Sequence, residues 1–194
     1  MTVLGNGLYE ANHDEDALTV RETKLSMELR LGAPEENILV AQSNLANTYQ
    51  VLGRREEALQ LKRDVYSGRL KLSGEEHRNT LIAASNYANS LVRLERFKEA
   101  KSLLRKMMPV ARRVLGESHE LTLKMRWHYA RALYEDPGAT LDDLREAVTT
   151  LEDAERIARR VFGGANPLVL DIERDLRAAR AKLRIRETPP PGNE

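Results

Sequence analysis

The sequence predicts an all-α solenoid, with antiparallel helix pairs stacked in about four repeats and closed by a C-terminal capping helix. Three observations predict it. Gly32, Gly74 and Gly116 stand 42 residues apart, and Gly163 follows 47 residues after the third. Each closes a similar phrase: Leu31-Gly32, Leu72-Ser73-Gly74, Leu115-Gly116 and Phe162-Gly163. Between the glycines the apolar residues twice take up the spacing of an amphipathic helix. A fixed period of this size marks a stacked array, in which each unit buries its apolar face only against its neighbours. Such a chain makes an extended binding surface rather than an enclosed catalytic pocket.

Taken in order, Asp16 to Leu31 reads as the second helix of a truncated first repeat. Each later repeat opens with a first helix, A, whose stripe reads Ala41-Leu45-Ala46-Tyr49, then Ala83-Tyr87-Ala88-Leu91, then Met125-Tyr129-Ala130-Leu133. Steps of four, one and three put these residues on one face. Turns such as Leu52-Gly53-Arg54-Arg55 and Leu94-Glu95-Arg96-Phe97 follow. A second helix, B, opens with Glu57-Ala58, Glu99-Ala100 or Glu146-Ala147 and ends in basic residues and a glycine. The cations complement the helix dipole and the glycine supplies a left-handed cap. The fourth repeat carries five extra residues near 136–141, where Asp136-Pro137-Gly138 makes a turn and Thr140 with Asp143 resembles a capping box. The insertion is expected to lengthen that B helix at its start. Pro109 lies inside a B helix and is expected to bend it. The last helix, about Pro167 to Leu183, places Arg177 where earlier repeats have alanine, as suits a solvent-facing cap. A single domain is expected over 1–186, with a disordered tail over 187–194 around Pro189-Pro190-Pro191.

Composition narrows the function. A formal charge of +1 gives no argument for a nucleic-acid partner, and no run approaches the length of a membrane span. The absence of cysteine excludes disulfides, thiolate metal sites and a cysteine nucleophile. The expectation is a soluble cytoplasmic protein with no cofactor and no metal. His77 and His119 share one repeat position before an A helix, where capping explains them. His119-Glu120 does not open a zinc-binding motif, because Leu123 stands where the second histidine would be. Gly163-Gly164 lacks the lysine and hydroxyl pair of a phosphate loop. No enzyme is expected.

The phrases Ser43-Asn44-Leu45-Ala46-Asn47-Thr48-Tyr49, Gly53-Arg54-Arg55-Glu56-Glu57-Ala58-Leu59 and Val114-Leu115-Gly116-Glu117-Ser118-His119 resemble tetratricopeptide repeats. The resemblance is to the 42-residue variety found in kinesin light chains and in the sensor arrays of some signalling ATPases, and it runs from about Asp16 to Leu183. It implies a right-handed superhelix with A helices lining a concave groove and B helices on the convex side. It also implies a cargo-groove role for asparagines at the positions of Asn44 and Asn86.

The stripe opposite each A-helix core marks where a ligand would lie. It carries Val40, Ser43, Asn47 and Gln50, then Ile82, Ser85, Asn89 and Val92, then Lys124, Trp127, Arg131 and Tyr134. Asn44, Asn86 and His128 sit beside these faces at one repeat position. Asparagine weakens a helix, and its amide both donates and accepts, which suits the backbone of an extended peptide. The other reading is that these amides bond neighbouring helices and hold repeat geometry. Trp127, between Lys124 and Arg131, could stack a peptide side chain beside cations that attract carboxylates, or could pack against the preceding repeat. The candidate peptide-binding residues are therefore Asn44, Asn47, Asn86, Asn89, Lys124, Trp127, His128 and Arg131. The basic A helix at 118–135 points an acidic or C-terminal carboxylate ligand toward the C-terminal half. The acidic Asp14-Glu15-Asp16 end and the basic Arg180 to Arg186 end also permit a head-to-tail homo-oligomer. The expected function is an adaptor that binds an extended, acidic peptide in the groove. The alternative is a structural or sensor segment of a larger assembly, acting through self-association.

Overall fold

A computed structural model describes residues 14–188 of the chain. Among them are eight helices and no strand: α1 Asp14–Arg30, α2 Glu35–Val51, α3 Arg55–Ser73, α4 Arg78–Arg93, α5 Phe97–Leu115, α6 Glu120–Tyr134, α7 Leu141–Phe162 and α8 Pro167–Glu187. The A helices are α2, α4, α6 and α8, and the B helices are α1, α3, α5 and α7. The glycines that close the B helices take positive φ, from 62° at Gly32 to 92° at Gly116. That conformation costs glycine nothing and other residues about 1–2 kcal/mol, which is why the ruler is made of glycine. Inside the repeats the same device appears at Gly53, with φ 76°, and 42 residues on Glu95 takes φ 58° without a glycine.

Helix starts follow the sequence signals. Thr140 and Asp143 make the reciprocal capping box at α7. The His119 and Asn166 side chains accept from the amides of Leu121 and Leu168 at 3.1 and 2.9 Å. His77 does the same for Asn79 at 3.2 Å. The inserted residues of the fourth repeat are shared out: α7 has 22 residues where α3 and α5 have 19, and the turn before it is longer. Pro109 lies within α5. Helix α8 runs past Leu183 to Glu187; the rest of the expected tail, from residue 189, lies outside the described residues, as does the side chain of Asp14.

The chain divides into two compact units, residues 1–90 and 91–194. In the first, α1 packs on α2 and α2 on α3 around Leu39, Leu45, Ala46, Leu59, Leu81 and Ala84. Gly68 allows α3 to lie close to α2, because a Cβ there would stand 2.5 Å from a Leu39 methyl. This unit also buries cations. Arg21 donates to the Asn44 carbonyl at 2.9 Å and to the Thr48 hydroxyl, and Lys62 and Arg69 lie on the buried face of α3.

In the second unit α5 packs on α6, α6 on α7, and α8 on both α7 and α6. Leu104, Met107, Leu123, Met125, Leu133, Leu144, Leu151 and Ile172 are among its fully buried large side chains. Truncating one of them to alanine removes buried methylene groups and leaves a cavity, at about 2–5 kcal/mol. One polar contact recurs in both units. The Thr80 hydroxyl donates to the Arg69 carbonyl at 3.2 Å, and 42 residues later Thr122 donates to the Ala111 carbonyl at 3.4 Å.

Candidate functional site

In the first unit the exposed face of α2 and that of α4 up to Ser90 meet the buried face of α3 at a pocket of about 240 Å³. Asn44, Asn47 and Asn86 line it, together with Ser43 and Asn79. Val40 and Ile82, 42 residues apart and respectively 42% and 37% exposed, add apolar surface. The base comes from a B helix: Lys62, Val65 and Arg69 of α3 also line the pocket. Lys62 donates to the Gln50 side chain and to the Ser90 hydroxyl at 3.0 Å. Arg69 pairs with Glu36, the one carboxylate among the lining residues. That hydrogen bond, together with the attraction of Arg69 and His77, holds the Glu36 carboxyl below its ordinary range against the opposing effect of burial. The pocket is smaller than the roughly 300–1,000 Å³ of small-molecule sites, a size that suits one or two side chains of a longer ligand.

The ruler explains why this face is polar. Lys62 and Arg69 follow Ala58 at helical spacing on the buried stripe of α3, and their equivalents 42 residues on are Leu104 and Ala111, both fully buried. The third copies, Leu151 and Ala158, are also apolar and fully buried. Cations at two positions where the other repeats bury hydrocarbon were legible in the sequence, but a search confined to the A helices passes over them.

The second unit brings Trp127, His128 and Arg131 together differently. The Trp127 indole donates to an Asp175 carboxylate oxygen of α8 at 2.6 Å. Arg131 pairs with Glu135 at 2.8 Å and with Asp175 at 3.6 Å, and its guanidinium lies 5.7 Å from the Trp127 ring. Arg174 donates to the other Asp175 carboxylate oxygen at 3.1 Å. Asp175 itself is 5% exposed. Burial works against the Arg131 charge, yet Glu135 and Asp175 outweigh it and keep the guanidinium more firmly protonated than usual. His128 is buried beside Trp127, ring centroids 5.1 Å apart, and its Nδ1 has no hydrogen-bond partner among the described residues. Burial, with Arg131 and Lys124 nearby, lowers its pKa to about 3. Lys124 pairs with Glu120 of its own helix at 2.6 Å. Trp127 thus bonds to the following repeat. Asp175 stands 47 residues after His128, at the repeat position of Asn44 and Asn86, and counting along the ruler would have found it. Asn89 is half-buried and does not line the pocket of the first unit.

Comparison with known proteins adds the family. A model described as tetratricopeptide repeat matches residues 37–110. Over those residues the chain is similar to tetratricopeptide repeats. No curated protein matches its sequence. Among solved structures it is similar to the nearly identical TPR-like repeats of a candidate kinesin light chain from Podosopora anserina. There the TM-score is 0.77 at 23% identity, covering 96% of this chain and 86% of that one. A variant of the same repeats gives 0.79 at 21% identity over the same shares. BtubC (BKLC) from P. vanneervenii gives 0.71 at 17% identity, over 100% of this chain and 83% of that one. These likenesses bear out the all-α solenoid of TPR-like helix pairs. Tetratricopeptide repeats generally mediate contacts between proteins. Among the described residues of this repeat protein, no helix is long and apolar enough to cross a membrane, and no cluster of three or more His, Asp or Glu is arranged to hold a metal ion.

Proposed function

We propose that this chain is a protein-interaction module that binds an extended acidic peptide at the pocket between α2, α3 and α4 in its first unit. One observation carries the reading: two nearly buried cations, Lys62 and Arg69, line a pocket whose rim holds exposed asparagine amides and exposed aliphatic side chains. Each part has a task. A ligand carboxylate gains most from a cation that is already desolvated and held in place, because screening there is weak. Asn44, Asn47 and Asn86 each present a donor and an acceptor to a peptide backbone. Val40 and Ile82 offer contact to an apolar side chain next to the acidic one.

The second unit is the less favoured half of the same surface. Trp127 and Arg131 have the chemistry to read an acidic side chain, but Asp175 already satisfies both. The cations of the A helix at 118–135 are each paired with a carboxylate of the protein itself, so we assign the site to the first unit. Fluorescence anisotropy with a labelled acidic peptide tests this. Asn86→Asp, which sets a like charge at the rim, is expected to weaken binding severalfold and Arg131→Gln to leave it unchanged. The opposite order would place the site in the second unit.

A further inference from the structure

We infer that Glu36 is a displaceable internal ligand, a carboxylate of the protein's own that holds Arg69 until a peptide carboxylate takes its place. The inference rests on the acidic-peptide reading of the same pocket and adds how that pocket is regulated. Its first support is an asymmetry of burial. The Arg69 side chain is 7% exposed, whereas its partner Glu36 is 50% exposed. Arg69 sits at the end of the buried α3 stripe with its side chain enclosed by the fold, so the cation stays where it is. Glu36 lies in the first turn of α2, next to open solvent, and is free to swing away.

The second support is that leaving costs Glu36 little. A carboxylate in the first helical turn is stabilised by the helix dipole whether or not it touches Arg69. An ion pair whose carboxylate stays half in water contributes less than one whose carboxylate is buried as well, because solvent and salt screen it from that side. Incoming carboxylates therefore compete with a weak hold on a well-placed cation. The third support comes from the ruler. The equivalents of Glu36 are Arg78, Glu120 and Pro167, and Glu120 pairs within its own helix to Lys124. Opposite Glu120 the residue at the Arg69 position is Ala158, which carries no charge. The cross-helix pair is thus not a requirement of repeat packing. It occurs where the pocket is.

The test uses the full chain and a fluorescein-labelled hexapeptide, Leu-Glu-Glu-Leu-Glu-Glu, with its Leu-Gln-Gln-Leu-Gln-Gln counterpart as the neutral probe. Wild type, Glu36→Gln and Glu35→Gln are titrated at low salt, with circular dichroism to check the fold. Removing the competitor in Glu36→Gln is expected to tighten binding of the acidic probe about three- to fivefold, the scale of an exposed ion pair. Glu35→Gln removes the same charge one residue away from the contact and is expected to change binding less than about 1.5-fold, through screened attraction alone. Binding of the neutral probe stays the same in all three. Equal gains in the two variants would mean general repulsion and overturn the inference. So would an acidic probe that binds wild type and Glu36→Gln equally, though the pocket would keep its assignment. If the acidic probe binds neither, the pocket reading falls and the inference with it.

Discussion

Lys62 and Arg69 in the first unit occupy the same repeat positions as Leu104 and Ala111 in the second, and the surroundings differ accordingly. In the second unit the buried B-helix face is apolar at these positions, and Trp127 and Arg131 of α6 are bonded to the buried Asp175 of α8. In the first, the B-helix face carries two cations to a pocket whose internal carboxylate, Glu36, is half-exposed. Both units place a carboxylate of the protein against an arginine, but one is locked and the other loosely held. Repeats of one architecture thus differ between a part whose arginine is held by a buried carboxylate and a part whose arginine lines an open pocket, and the difference lies in a few residues.

The largest expected effect tests the locked side. Asp175→Ala leaves the Trp127 indole and Arg131 without their buried acceptor and is expected to cost about 3 kcal/mol, as when one partner of a buried pair is removed. Urea denaturation followed by Trp127 fluorescence measures it. A loss under about 0.5 kcal/mol, the range of an ordinary surface substitution, would mean that Asp175 does not lock the second unit.

Acid should separate the units next. His128 is neutral in the fold with a pKa of about 3, below the 6.5 of the unfolded chain. Below pH 6.5 the unfolded state binds a proton that the folded state refuses, so stability present above that pH is lost as pH falls toward 3. By pH 5 the loss is about 2 kcal/mol. His128→Asn, which copies the residue of the second and third repeats, is expected to flatten that slope. An unchanged slope in denaturation between pH 7 and 5 would show that another group carries it.

A third variant makes the first unit resemble the second. Lys62→Leu with Arg69→Ala is expected to weaken the acidic hexapeptide at least about tenfold, the loss of about one charge-assisted contact at 1.4 kcal/mol. Stability is expected to stay within about 1 kcal/mol, since replacing buried charge by hydrocarbon is often neutral or better. Calorimetry and anisotropy on one preparation give both numbers. The smallest effect is Asn86→Ala, about threefold in affinity with no loss of helix, because alanine is the better helix former.

Much of this fold is written in the ruler. The glycine period, the A and B stripes, the Thr140 box and the histidine turns all depend on local chemistry, and each lies where the residues place it. The site was less legible for a physical reason. Asn44, Asn47 and Asn86 were readable from the polar faces of the A helices. Lys62 and Arg69 look like ordinary snorkelling cations until the neighbouring repeats are laid beside them. Trp127 and Arg131 have the composition of a ligand site, and only the long-range contact to Asp175 shows that their chemistry is already satisfied.

The most direct test of the division between the units is one proton–nitrogen correlation spectrum, in which side-chain amides and the single indole are all visible. Titration with the acidic hexapeptide is expected to move the side-chain amide signals of Asn44, Asn47 and Asn86 and to leave the Trp127 indole signal in place. Movement of the indole with the three asparagines silent would contradict the account.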